Sequence, residues 1–63
     1  MCESSAFVVT GDKEELLLKD VIKIVPLQNG KLLVENLLGD QLEFNGKIRE
    51  IDFMGHKILL ENK

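Results

Sequence analysis

The stretch "DKEELLLKD" (residues 12–20) can be read as a helix or as a strand, and the fold class turns on the choice. Asp12 and Glu15 have the spacing of a capping box, and Glu, Leu and Lys all favour helices. Against a helix, the apolar run "VIKIVPL" (residues 21–27) follows at once, with Pro26 near its end, which leaves room for about two turns at most. The stretch therefore reads as a strand, and the whole chain becomes all-β.

The segments on either side agree. Gly, Asn and Asp punctuate the chain at Gly11-Asp12, Asn29-Gly30, Gly39-Asp40, Asn45-Gly46 and Met54-Gly55. Between them lie short runs rich in Val, Ile, Leu and Phe, the spacing of hairpins. Asn29-Gly30 and Asn45-Gly46 are the residue pairs that two-residue hairpin turns favour. The runs predict strands at roughly 2–9, 14–18, 20–27, 31–38, 41–45, 47–53 and 56–61. Within "VIKIVPL", Ile22 and Ile24 are expected on one face and Val21 and Val25 on the other. Within "HKILLEN", Ile58 and Leu60 share a face. In "KIREIDF", Ile48 and Ile51 are three apart, which calls for a bulge or a single helical turn. Pro26, with no N–H for a ladder, marks an edge or a strand end. The expected fold is one small β-domain over residues 1–63. It is a strongly bent sheet or SH3/Sm-like barrel of about six or seven short strands, completed as a dimer.

Size argues for the dimer. A chain of 63 residues buries only about 60% of the surface its unfolded form exposes. Domains of this length lean on disulfides, a metal or a partner subunit, and the lone cysteine rules out an internal disulfide. A single thiol also points to a reducing compartment, the cytoplasm. The first nine residues lack the basic start and long apolar run of a signal peptide. The longest apolar runs are three or four residues, against about 20 needed to span a bilayer. Eight basic residues against eleven acidic ones give a net charge of −3. Phosphate-backbone binding needs the opposite balance, and with no Trp or Tyr and three scattered Phe residues, base-stacking platforms are poor. A local patch of Lys47, Arg49 and Lys57 keeps a small RNA-binding barrel as the alternative reading.

The chemistry lies at the start of the chain, "MCESSAFVV". The Met1 α-amine, the Cys2 backbone nitrogen and the Cys2 thiolate are linked so that a metal ion would close two fused five-membered rings. Such a planar donor set suits Ni(II) or Cu(II) better than Zn(II). With Met1 removed, the new amine and the thiolate still form one ring, and two copies would supply two nitrogens and two sulfurs. The competing reading of Cys2 is a small buried hydrophobe.

Four fragments, "MCESSAFVV", "EELLLKDVIKIVP", "LLGDQLEFNGKIREIDF" and "HKILLE", in that order, resemble the CooT family. These are small nickel-binding accessory proteins of anaerobic bacteria and archaea, associated with carbon monoxide dehydrogenase maturation. The resemblance covers nearly the whole chain. It implies a homodimer with Ni(II) held by the N-terminal cysteine of each subunit, here Cys2 beside the Met1 amine. An apo nickel enzyme or its nickel-insertion machinery is the implied partner. The preference for nickel over copper or cobalt comes from the resemblance alone.

Other candidates are weaker. His56, the single histidine, has an imidazole that suits nickel, yet a lone histidine at a strand start is more often hydrogen-bonded at the surface. Met54, beside Phe53 and Gly55, reads as packing, and Glu3 as solvated. No phosphate loop, CxxC pair or nucleophile with an orienting base is present, so an enzyme is not expected.

Overall fold

Asp20 and Gly46 decide the architecture, because each sits where a long strand bends and changes partners. The computed structural model describes residues 4–62. In chain order the strands are β1 (Ser4–Thr10), β2 (Lys13–Pro26), β3 (Lys31–Asn36), β4 (Gln41–Asp52) and β5 (Lys57–Asn62). They close into a ring in sequence order, and β1 returns to pair with β5. Four of the joints are antiparallel and the closing β1–β5 joint is parallel.

Residues 12–20 do extend rather than coil. Lys13, Glu14, Glu15, Leu16 and Leu18 all pair with β1, from Thr10 back to Ala6. Tertiary pairing overrides the local helix preference of Glu, Leu and Lys.

The expected six or seven short strands are instead five, because four of them fuse into two. The runs at 14–18 and 20–27 are the two halves of β2. Asp20 takes φ 54° between them, and the pairing with β1 slips on the way from Ala6↔Leu18 to Ser4↔Val21. The Asp20 carbonyl accepts a hydrogen bond from Leu37 N at 2.9 Å, so the bend is tied to the loop after β3. Beyond it, β2 pairs with β3 as far as Pro26↔Leu32, and Pro26 is its last residue. A second slip between Val21 and Lys23 undoes the expected alternation of this half. Val21 and Ile24 both pack on the core, while Ile22 is exposed.

The runs at 41–45 and 47–53 likewise form β4, with no hairpin turn at Asn45-Gly46. Residues 41–45 pair with β3 and 46–52 with β5. Gly46 is required by close approach: a Cβ there would collide with the Glu61 carbonyl oxygen and lie 2.6 Å from Cε2 of Phe44. Asn29-Gly30 does make a turn, with Gly30 at φ 77°. The irregular spacing of Ile48 and Ile51 is resolved by a bulge between Ile48 and Glu50.

The core is formed by Ala6, Leu32, Val34, Phe44, Ile58 and Leu60, with Val34 and Leu60 fully buried. Ile58 and Leu60 share the inward face as expected. Full burial of one such side chain contributes roughly 1.5–3 kcal/mol.

Asn36, at the end of β3, is buried and organises the loop to β4. Its Oδ1 accepts from Leu38 N at 3.1 Å and Asp40 N at 2.8 Å, and its Nδ2 donates to Asp40 Oδ2 at 3.3 Å. Asn36→Ala leaves two backbone N–H groups without their partner, at a cost of about 1–3 kcal/mol. A urea titration is expected to show the midpoint falling by about 1–2 M with unchanged slope.

Candidate functional site

The start of β1 is held between two irregular pieces of chain. On one side Ser4 pairs with Val21, just past the Asp20 bend. On the other, Ser5 N donates to the His56 carbonyl at 3.1 Å, and Ser5 pairs with Lys57. The first residues of β1 therefore lie between the β2 bend and the turn joining β4 to β5.

That turn is built by Asp52. Its Oδ1 accepts from Gly55 N at 2.9 Å, and a Cβ on residue 55 would lie 2.8 Å from its other carboxylate oxygen. His56 closes the turn in the left-handed region, at φ 57°. This conformation is uncommon outside glycine, though several-fold enriched in Asn, Asp and His. The His56 ring and Met54 are exposed, and Met54 retains 92% of its surface. Lys57, immediately after the turn, donates to Glu14 Oε1 at 3.1 Å and lies 5.4 Å from the Phe7 ring centroid. This links β5 to β1 and β2 beside the start of β1.

Met1, Cys2 and Glu3 lie outside the described residues. Among the described residues no group of three or more His, Cys, Asp or Glu side chains is assembled to hold a metal. His56 is the one expected ligand that the fold brings to this end of the ring, through its backbone contact with Ser5. A more polar cleft of about 280 Å³ is lined in part by Gly11, Asp12, Glu14, Arg49 and Glu50.

The basic patch expected from Lys47, Arg49 and Lys57 is neutralised within the chain. Lys47 Nζ and Arg49 Nε lie 3.4 and 3.9 Å from the two carboxylate oxygens of Glu61, and Lys57 pairs with Glu14. The surface those residues offer is mixed in charge, which works against phosphate binding. Ring closure pairs β1, β3 and β5 on both sides, whereas most of each half of β2 and β4 is paired on one side only. No helix of the described residues is long and apolar enough to cross a membrane.

The sequence reading passed over an apolar groove of about 300 Å³ beside Ser4, walled by Val21, Ile22, Ile24, Ile48 and Ile51. Its signal was present in the three-residue spacing of Ile48 and Ile51, which share one wall because of the bulge.

A family model described as "CO dehydrogenase accessory protein CooT" matches residues 1–61. The chain belongs to the CooT family. The match takes in Met1 and Cys2 as well as the ring. A crystal structure described as that of a candidate CooT from Carboxydothermus hydrogenoformans superposes with a TM-score of 0.91 at 47% identity, covering 98% of each chain. An uncharacterized protein of Methanothermobacter thermautotrophicus is 40% identical over 63 residues, which is all of this chain and 92% of that one. An uncharacterized protein of Archaeoglobus fulgidus is 39% identical over 46 residues, 73% of this chain and 100% of the other. The CooT family is one of accessory proteins, in keeping with a reading that assigns this chain no catalysis.

Proposed function

We propose that this CooT-family chain is a nickel-binding accessory protein. It holds Ni(II) as cargo at Met1 and Cys2, about one ion per homodimer, for the maturation of a nickel enzyme such as carbon monoxide dehydrogenase. The observation that carries the reading is the family match that begins at residue 1 and so includes the Met-Cys start. The donor chemistry supports it, since amine, amide and thiolate on adjacent residues form a chelate without help from any other side chain. The fold supports it by tying the chain between the β2 bend and the 53–56 turn within two residues of Cys2. His56 stands at the same end as a further donor of lower rank.

The test is a titration of Ni(II) into the reduced protein at pH 8, followed by calorimetry and absorbance, with Cys2→Ser in parallel. The wild type is expected to develop a thiolate-to-nickel charge-transfer band that saturates near half an ion per chain. Cys2→Ser is expected to show no such band and to lose at least a hundredfold in affinity. Equal binding by the two proteins would sink the reading.

A further inference from the structure

Asparagine precedes glycine twice in the chain, and lysine follows each time: Asn29-Gly30-Lys31 and Asn45-Gly46-Lys47. Asparagine is a thermolabile residue, most of all before glycine, where no side chain shields the next amide nitrogen. We propose that Asn29 is a site of spontaneous covalent modification, at which the Gly30 nitrogen converts the side-chain amide to isoaspartate or aspartate. The fold shuts the same tripeptide at 45–47 out of this reaction.

The chemistry needs only water and a base. Gly30 N gives up its proton and attacks Cγ of Asn29. The new N–Cγ bond closes a five-membered succinimide, and the Cγ–Nδ2 bond breaks as ammonia leaves. Water then opens the ring at one of its two carbonyls, giving aspartate by one route and isoaspartate by the other. The sum is asparagine and water to an acid and ammonia, with no change of oxidation state. Ring closure brings the glycine nitrogen to bonding distance of Cγ. The Cα–C bond of the asparagine must therefore rotate well away from its extended-strand angle.

At Asn29 nothing in the sheet opposes that rotation. The last β2–β3 pair is Pro26↔Leu32, so residues 27–30 lie outside the ladder. The hydrogen bond that closes the turn runs from Leu27 N to the Lys31 carbonyl at 2.7 Å and does not use the Gly30 nitrogen. Asn29 is exposed, and Gly30 already stands in the left-handed region at φ 77°. Motion confined to such a turn parts no strands and costs little.

Asn45 is held on both sides of the bond in question. It pairs with Lys31 of β3, and Gly46 pairs with Asn62 of β5. Gly46 is buried, with the Glu61 carbonyl and the Phe44 ring packed where a Cβ would stand. Rotation there requires β4 to leave both neighbours, an opening that approaches unfolding of the ring. Two identical tripeptides thus differ in reactivity through their pairing alone.

Each event adds one negative charge, taking the net charge from −3 to −4. The isoaspartyl product also routes the main chain through an extra carbon, inside the turn that the Leu27–Lys31 hydrogen bond closes. Its free carboxylate belongs to the class of substrate that isoaspartyl carboxyl methyltransferases esterify.

The test is incubation of the folded protein at pH 8 and 37 °C for several days, with a parallel sample unfolded in urea. Tryptic cleavage after Lys23, Lys31 and Lys47 puts Asn29 in peptide 24–31 and Asn45 in peptide 32–47. Mass spectrometry follows the replacement of NH2 by OH in each, and fragment ions place it at Asn45 rather than Asn36. In the folded protein Asn29 is expected to react at least tenfold faster than Asn45. In urea the two are expected to converge, through acceleration at Asn45. Asn29→Ser is expected to remove nearly all methyl acceptance from aged folded protein, with far-UV circular dichroism unchanged. Similar rates at the two sites in the folded protein, an unreactive Asn29, or an Asn45 that stays slow in urea would each overturn the proposal.

Discussion

Gly46→Val is expected to cost about 3 kcal/mol or more and to lower Tm by roughly 12–24 °C in a thermal melt followed by circular dichroism. The reason is the partner of the clash. A Cβ at residue 46 meets the carbonyl oxygen of Glu61, a backbone atom held in the β4–β5 ladder near the end where β4 enters it, which cannot rotate away. It also meets the Phe44 ring, itself part of the core. Relief requires β4 and β5 to separate where β4 passes from one neighbour to the other, and a small domain has only a few kcal/mol to lose. Gly39→Ala provides the comparison. Gly39 sits at φ 91° with open space around it, so only backbone strain is incurred, on the order of 1–3 kcal/mol. A smaller loss at Gly46 than at Gly39 would show that the strand can bend without the close approach.

Nickel binding is expected to weaken by about a thousandfold or more between pH 8 and pH 6. The α-amine and the thiol must both be deprotonated to coordinate, and in model compounds they titrate near 8 and 8.5. Below both values each donor holds one proton that the metal must displace, and each such proton costs about a tenfold loss of affinity per pH unit, so amine and thiol together give a slope approaching two decades per unit, steeper still where the Cys2 amide proton is also released. The direction follows from competition alone: protons and nickel seek the same lone pairs, and acid favours the protons. Calorimetric titrations across that range in buffers of different ionisation enthalpy count the protons released. Release of fewer than one proton per chain would show that the amine and thiolate are not both ligands.

Much of this fold is legible in short stretches. The extended reading of residues 12–20 and the inward pair Ile58 and Leu60 follow from local pattern, which also narrows Pro26 to an edge or a strand end and the Ile48–Ile51 spacing to a bulge or a helical turn; the structure has the strand end and the bulge. The two long strands do not follow from local pattern. Asp20 and Asn45-Gly46 carry the local chemistry of turns, and the same residues serve for a hairpin or for a bend within a strand. What selects the bend is distant: Leu37 N reaching the Asp20 carbonyl, and the Glu61 backbone pressed against Gly46. The misread alternation of Ile22 and Ile24 has the same origin, since a register slip set by β3 rotates one residue but not its neighbour. The candidate site divides in the same way. The metal-binding potential of Met1 and Cys2 is a property of two adjacent residues and needs no fold to recognise. That His56 and the apolar groove stand beside the start of β1 depends on the β1–β5 joint, which no local pattern announces.

The parallel joint also bears on the order of events during synthesis. Ser5 pairs with Lys57 and Val9 with Glu61, so the ring closes only between residues 52 apart in the chain (57 − 5 and 61 − 9). Contacts of such long range are slow to form, because the entropy of loop closure is lost before the contact returns anything. Of the five strands, the first to be made is thus the last to be paired on both sides. Until β5 arrives, the backbone groups of β1 that will face it have no partner, so the ring stays open until synthesis has passed residue 61.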